Sequence, residues 1–476
     1  MPYKMLPSFS LHPNPNRSSS SATAAPPPWL PTSIPSPCLT IYRSYDYIEC
    51  GTTSSPPQEC FIMQTHSKLC VSALTTLSGL QEWADLPDGL LHTILPLLGS
   101  VRDLLAFSAT CRSWHVAFLS YPSKSTLCTL FPPLLIQTNI RVDAPHVPSN
   151  DIHCKLHTCK VIDPSNQNIT LRCQIDEEIL QKMYCVGPSY GHLIFFCSRG
   201  YCLVVDPFSG SKVSPPRLPI SGCERVSPTK IHAQHSEIAE LYFFGVLTAP
   251  ITSPNSHLLV GTRFSLFDWP VGSDSWSELK LPSGAQITQI VEFKGQFIAM
   301  DYHRRIYSFE LAPQLGLQEI ITEWSPHSIR TPYQTSWLVV CGDMLLMFIT
   351  VDHWSRRIKD GGILKKVCTL HLDMSSKPAK WVVKKKLGSW AAFAGCDTKN
   401  MPLSNMNPER WGGRSNSLYY AESSPPWRVH ELDSAHDPWD ASIRQCVIYW
   451  GHYMKPLWVY PSMLYSDGAS DHRVER

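Results

Sequence analysis

Between residues 153 and 159 the chain gathers His153, Cys154, His157 and Cys159, with Cys173 and Cys185 further on. Imidazole and thiolate bind zinc tetrahedrally, but a structural site wants a second closely spaced cysteine pair, which is missing here. The segment therefore reads as a strand that buries cysteines beside exposed histidines, and no metal or other cofactor is expected. Catalytic signatures are not expected either, whether a nucleophile elbow, a phosphate-cradling loop, an H-E-x-x-H helix or a kinase set. Asp and Glu fall mostly at turn positions, so no pair stands out as an acid–base couple and no catalytic residue is assigned.

Charge gives one local feature, the basic run Arg356, Arg357, Lys359, Lys365, Lys366, Lys377, Lys380, Lys384, Lys385 and Lys386. It is broken by Trp381, Val382 and Val383, which read as strand core, so it is taken as solvated loop and strand faces. The net charge of +2 gives no electrostatic case for nucleic acid or membrane as a partner. Aromatic side chains near turns are better placed for recognition, since Trp and Tyr dominate binding hot spots. Trp269, Trp276, Trp354, Trp411 and Trp427 are the candidate target-binding residues, with core packing as the alternative for each.

The elements that must position such residues fall into two textures. From Leu86 to Trp114 the apolar residues recur with helical period. Leu90, Ile94 and Leu98, flanked by Leu91 and Leu95, form one broad stripe that starts just after Pro87, a residue tolerated in a first turn. Ser100 and Asp103 form a capping box for a second helix carrying Val101, Leu104 and Leu105. Thr110 is placed to cap a third, with Cys111, Trp114, His115 and Phe118 on one face. Three helices this short cannot bury that much surface among themselves, which implies a partner.

Leu86-Pro87, Leu90-Leu91, Ile94, Leu98, Asp103-Leu104-Leu105 and Cys111-Arg112-Ser113-Trp114 together closely resemble an F-box. That resemblance implies docking onto a Skp-type adaptor of a cullin-based ubiquitin ligase. The adaptor-binding residues it points to are Leu86, Pro87, Leu91, Ile94, Leu98, Leu105, Cys111 and Trp114. Pro96 departs from the pattern. Inside the first helix it would remove a backbone bond and crowd the carbonyl of His92, at about 3 kcal/mol in an isolated helix, so a kink that weakens docking is expected.

At 476 residues the chain has room for two or three domains. It is 17% charged, below the usual share of about 25%. An odd count of seventeen cysteines, with no apolar leader, argues against a secreted disulfide framework and for reduced thiols in the nucleus or cytoplasm. No run reaches the ~18 apolar residues that span a bilayer. Residues 1–62 are Ser/Pro-rich and, up to Tyr45, free of acidic residues. They are read as a disordered extension, or as sequence upstream of a start at Met63, in preference to an organelle signal.

After residue 122 the period changes to short β phrases. His192–Cys197 and Tyr201–Val205 read as a hairpin closed near Gly200, and comparable groups recur through Ile287–Phe293, Trp337–Cys341, Met344–Val351 and Trp427–Leu432. Strands ending near an acidic residue return at Asp206, Asp268, Glu310, Asp373 and Glu431, about the length of a four-stranded propeller blade with loops. Gly191-His192-Leu193 with Asp206-Pro-Phe-Ser-Gly210, Trp337-Leu-Val-Val with Gly342-Asp343, Leu387-Gly388 to Gly395, Asn416-Ser-Leu-Tyr-Tyr420 and Leu457-Trp-Val-Tyr-Pro461 resemble, in this order, the KIB-type F-box/β-propeller family of plants.

The expected fold is α plus all-β: an N-terminal three-helix F-box (81–122), then a degenerate β-propeller (127–465) and a polar tail (466–476). The resemblance implies a non-catalytic substrate receptor of a Skp–cullin–F-box ligase that holds an unknown target protein on the propeller. The alternative is a non-ligase interaction module with a degenerate F-box. A propeller enzyme or lectin would demand converging carboxylates, histidines or metal ligands, and none is evident.

Overall fold

The computed structural model describes residues 83–141, 155–197, 199–219, 243–311, 315–323, 335–357, 363–395, 400–422, 426–432 and 454–465. The extension 1–62 and the tail 466–476 lie outside these residues. Helix α1 spans Asp88–Ile94, with Pro87 as its N-cap residue. It stops one turn earlier than its leucine stripe suggests, because Leu95–Leu97 tightens into a 3₁₀ turn with Pro96 in its first positions. There the missing N–H is one no intrahelical acceptor needs, so Pro96 ends the helix without kinking it.

Helix α2 spans Val101–Thr110 and is capped as its sequence dictates: Ser100 Oγ accepts from the Asp103 N–H at 3.0 Å. Thr110 closes this helix, its hydroxyl donating to Ala106 O, and the cap of α3 (Arg112–Leu119) is Cys111 instead. His115 is exposed, and the buried side of α3 is Ala117 and Phe118. A short helix α4 (Lys124–Cys128) leads into the strands.

The remainder is a ring of six sheets, a six-bladed β-propeller. The first blade holds β1 (Leu134–Arg141), β2 (Lys155–Asp163) and β3 (Asn166–Arg172). Helix α5 (Glu177–Lys182) precedes the second, β4 (Tyr184–Ser189), β5 (His192–Phe196), β6 (Cys202–Val205) and β7 (Lys212–Val213). The third is β8 (Phe244–Leu247), β9 (His257–Gly261), β10 (Ser265–Pro270) and β11 (Ser277–Lys280). The fourth is β12 (Ile287–Phe293), β13 (Gln296–Asp301), β14 (Ile306–Glu310) and β15 (Gly316–Ile320).

In the fifth, β16 (Thr322–Glu323) adds a parallel edge to β17 (Ser336–Cys341), β18 (Met344–Arg357), β19 (Ile363–Asp373) and β20 (Ala379–Val383). The sixth runs out of chain order. Its β21 (Trp390–Ala394) lies between β22 (Leu403–Met406) and a parallel β23 (Ser417–Ala421), with β24 (Trp427–Glu431) outside.

The ring is closed by β25 (Leu457–Val459), which pairs antiparallel with β1 in register Leu134↔Val459, Leu135↔Trp458 and Ile136↔Leu457. A strand from the far end of the chain thus completes the first blade. The following turn locks the closure: a Cβ on Gly191 would stand 2.3 Å from the Cα of Ser462, so only glycine fits.

The helices are not an appendage. Leu91, Leu95, Leu104, Phe107, Phe118 and Leu127 share one apolar core with Leu134, Ile136, Leu193, Phe195 and Leu457 of the first two blades. Asn405 of β22 ties the junction, its amide donating to Thr129 O at 2.8 Å and Phe131 O at 2.7 Å while Trp411 Nε1 donates to its carbonyl oxygen.

One buried group makes stability depend on pH. His430 of β24 is 4% exposed, and among the described residues neither ring nitrogen has a hydrogen-bond partner. Burial, with the Arg428 charge nearby, pulls its imidazole down to about 4. In the unfolded chain the value returns to about 6.5. A depressed folded value means full stability above about pH 6.5, lost as the pH falls toward 4, by about 3 kcal/mol at most. Melting temperatures measured between pH 7.5 and 4.5 should fall more steeply for the parent than for His430→Phe.

Candidate functional site

Among the described residues, large hydrophobic side chains stand exposed in unusual density on the helical unit: Trp83, Leu90, Leu97 and Val116, at 75%, 52%, 78% and 47%. Pro87 is also exposed, and Leu86, Ile94, Leu98 and Leu105 are half-buried around them. Two circumstances create this face. Pro87 and the 3₁₀ turn present Leu90 and Leu97 outward, while the opposite side of α1 is committed to the shared core.

Of the residues expected to meet an adaptor, Leu91 is fully buried in that core and cannot face a partner without unfolding. Trp114 and Cys111 are half-buried and make internal contacts. Trp114 Nε1 donates to Trp83 O at 2.9 Å and its ring packs 4.6 Å from Phe107. Ser113 Oγ lies within hydrogen-bond distance of both Ala84 O and Cys111 Sγ, and the contacts of Cys111 with the Ser113 side chain and the Trp114 backbone hold its thiol below the usual range. The Cys111–Trp114 segment thus pins residues 83–85 onto α3. Sequence reasoning left out Trp83, Leu97 and Val116, while Leu90 was already visible in the helical stripe.

The aromatic candidates on the propeller are mostly structural. Trp269 is buried and donates to Ser273 O at 2.7 Å; Trp276, half-buried, donates to Pro216 O at 2.8 Å. Trp411 holds Asn405, and Trp427 packs 5.9 Å from Trp458. These four fill junctions between turns and blades. The side chain of Trp354 lies outside the described ones. Along the basic run, Trp381 is buried as expected, but Val382 and Val383 face solvent, so they are not core.

The cysteine cluster is partly assembled. Cys159 and Cys173 are hydrogen-bonded and Cys185 is near; the Cys173 contact and burial drive the Cys159 thiol well up, as expected of neutral buried thiols. His153 and Cys154, and the side chain of His157, lie outside the description. Among the described residues no group of three His, Cys, Asp or Glu could hold a metal.

Gly187-Pro188-Ser189-Tyr190-Gly191 does spell G-x-S-x-G, contrary to the expectation of no nucleophile elbow. It joins β4 to β5 through a tight turn with φ of 46° at Tyr190 and 79° at Gly191, not a strand to a helix. Ser189 Oγ is engaged by the backbone of Leu247, donating to its carbonyl and accepting from its N–H, so it is a blade-to-blade tie.

The acidic residues that mark the blades are likewise structural. Burial pushes the Asp206 carboxyl up, but the Phe208 N–H and the hydroxyls of Ser462 and Ser209 outweigh it and hold it below the usual range. Burial raises the Asp268 carboxyl against the opposing pull of His257, 2.8 Å away.

Inside the ring the innermost strands β25, β4, β8, β12, β17 and β22 surround a cavity of about 260 Å³. Ser125, Cys128 and Thr129 of the α4 region and Tyr465 after β25 line it on the helical side. Among the described residues no helix is long and apolar enough to cross a membrane.

A helical unit with an open apolar face, fused to a six-bladed ring, defines the F-box/β-propeller class. The comparisons agree. An F-box-like model matches residues 83–120, and the KIB1-4 beta-propeller model matches residues 160–447. The chain belongs to the KIB1-4 β-propeller family.

No curated protein matches by sequence. Solved structures that align include YCF48 from Cyanidioschyzon merolae, at 10% identity and TM-score 0.23, over 48% of this chain and 68% of that one. The N-terminal domain of Nup159 aligns at 13% identity and TM-score 0.24, over 48% of this chain and 58% of that one. The Cps50 (Swd1) β-propeller domain of Myceliophteria thermophila aligns at 11% identity and TM-score 0.28, over 62% and 82%.

Proposed function

We propose that this chain is the substrate-recognition subunit of a Skp–cullin–F-box ubiquitin ligase, its helical unit docking a Skp-type adaptor and its propeller holding a target protein. The observation that carries this reading is the exposed apolar face of Trp83, Pro87, Leu90 and Leu97 on a unit of F-box type. F-box domains in general bind Skp1-type adaptors, and unpartnered apolar surface of this density favours a protein partner. The receptor does no covalent chemistry. It raises the effective concentration of a target lysine beside a charged ubiquitin-conjugating enzyme. Its action is placed in the nucleus or cytoplasm, in keeping with an odd count of seventeen cysteines.

The test is a pull-down of the full chain by a purified Skp-type adaptor, beside a Leu90→Glu/Leu97→Glu variant. Both side chains are exposed, so circular dichroism should be unchanged. Each apolar side chain buried in an interface contributes about 1.5–3 kcal/mol, so binding should weaken by ~100-fold or more. A folded parent that fails to bind would leave the chain as an interaction module without ligase function.

A further inference from the structure

Among the described residues that line the central cavity, Glu292 is the single acidic or basic side chain. Its neighbours are apolar or aromatic: Ile290, Val291, Phe297, Val340, Met401 and the ring of Tyr190. The Tyr190 hydroxyl reaches both Glu292 Oε2, at 3.3 Å, and Thr248 O, at 3.2 Å, and its ring stands edge-on to Tyr465 at 5.2 Å. One proton shared between two acceptors leaves the carboxylate with acceptor capacity to spare, and Glu292 is an exposed residue of the cavity lining.

A single anion in a cavity with low-dielectric walls attracts one cation more strongly than the same anion would on an open surface. Aromatic faces add to that preference. The volume is slightly below the range filled by drug-sized ligands, which suits one side chain or a small amine. We propose that this cavity is a binding site for one monocationic group, an alkylammonium, held by Glu292 and flanked by Tyr190 and Phe297. In a target-holding propeller that group is a lysine side chain of the target. This last step rests on the receptor reading, while the cation site itself does not.

The experiment titrates the full chain with n-butylammonium and, separately, with neutral n-butanol, by calorimetry or saturation-transfer NMR. The parent should bind the amine saturably and the alcohol at least tenfold more weakly. Glu292→Gln, which keeps an acceptor for Tyr190, should lose at least tenfold in amine affinity with an unchanged melting temperature. A second arm compares the free amine with a peptide carrying one central lysine. Tighter binding of the peptide identifies a macromolecular source, and equal binding a free amine. Absence of saturable amine binding, or equal binding by the parent and Glu292→Gln, overturns the site. Adaptor capture of the same sample tests the receptor reading separately, so the two failures are distinguishable.

Discussion

A chain ended at residue 453 is expected to lose the propeller fold rather than merely shorten it. The truncation removes β25, the only strand that joins the last part of the chain to β1 among the described residues. With it go Leu457, Trp458, Val459, Tyr460 and Leu464, all buried. Each such side chain contributes about 1.5–3 kcal/mol, so together they rival the ~5–15 kcal/mol net stability of a typical domain. The loss also bares the inner edge of β1, a row of unpaired backbone groups prone to aggregation.

A milder version isolates one side chain. Trp458 is fully buried, packs 5.1 Å from Phe393, and donates from its indole to Ala394 O at 3.1 Å. Trp458→Ala should destabilise by about 3–5 kcal/mol. Urea unfolding read by near-ultraviolet circular dichroism checks both. A truncated chain with a native near-ultraviolet spectrum and a cooperative transition would mean that the ring closes without β25.

The second large effect is expected at Asn405→Leu. Asn405 is fully buried, and its amide donates both N–H groups and accepts from the Trp411 indole. Leucine keeps the bulk and removes all three bonds. Thr129 O retains the Met406 N–H at 2.7 Å, but the amide bonds to Phe131 O and from the Trp411 indole are lost. A buried polar group left without its partner costs about 1–3 kcal/mol, so a loss of about 3 kcal/mol or more is expected. Trp411→Phe removes only one of the three bonds and should cost less. Equal unfolding midpoints for parent and Asn405→Leu would show the bonds to be dispensable.

Much of the architecture was legible because short apolar phrases bounded by turn residues translate directly into strands. Ile287–Phe293 is β12 to the residue, and β5, β6, β17 and β24 fall within two residues of their expected ends. The recurring acidic positions mark the third strands of four successive blades, at Asp206, Asp268, Glu310 and Asp373. What the sequence concealed was non-local. The sixth blade places β21 beside a parallel β23, an order that no local pattern encodes.

Exposure was concealed for the same reason. Leu90 and Leu91 are adjacent and chemically alike, yet one is 52% exposed and the other fully buried, because α1 rests on the propeller core as well as on α3. Tryptophans near turns looked like recognition residues, whereas Trp269 ties its own turn at Ser273 and Trp276 reaches Pro216 beyond the second blade. Glu292 carried no signal at all, since its place on the cavity lining is set by strands distant in the chain.

The apolar core that runs from α1 through Leu127 into Leu134 and Leu193 also bears on quality control. Two parts that share an interior are expected to unfold as one cooperative unit, so loss of the ring should take the helical face with it. For the receptor proposed above, damage to the blades would then cost adaptor docking and target holding together, without a separate sensor.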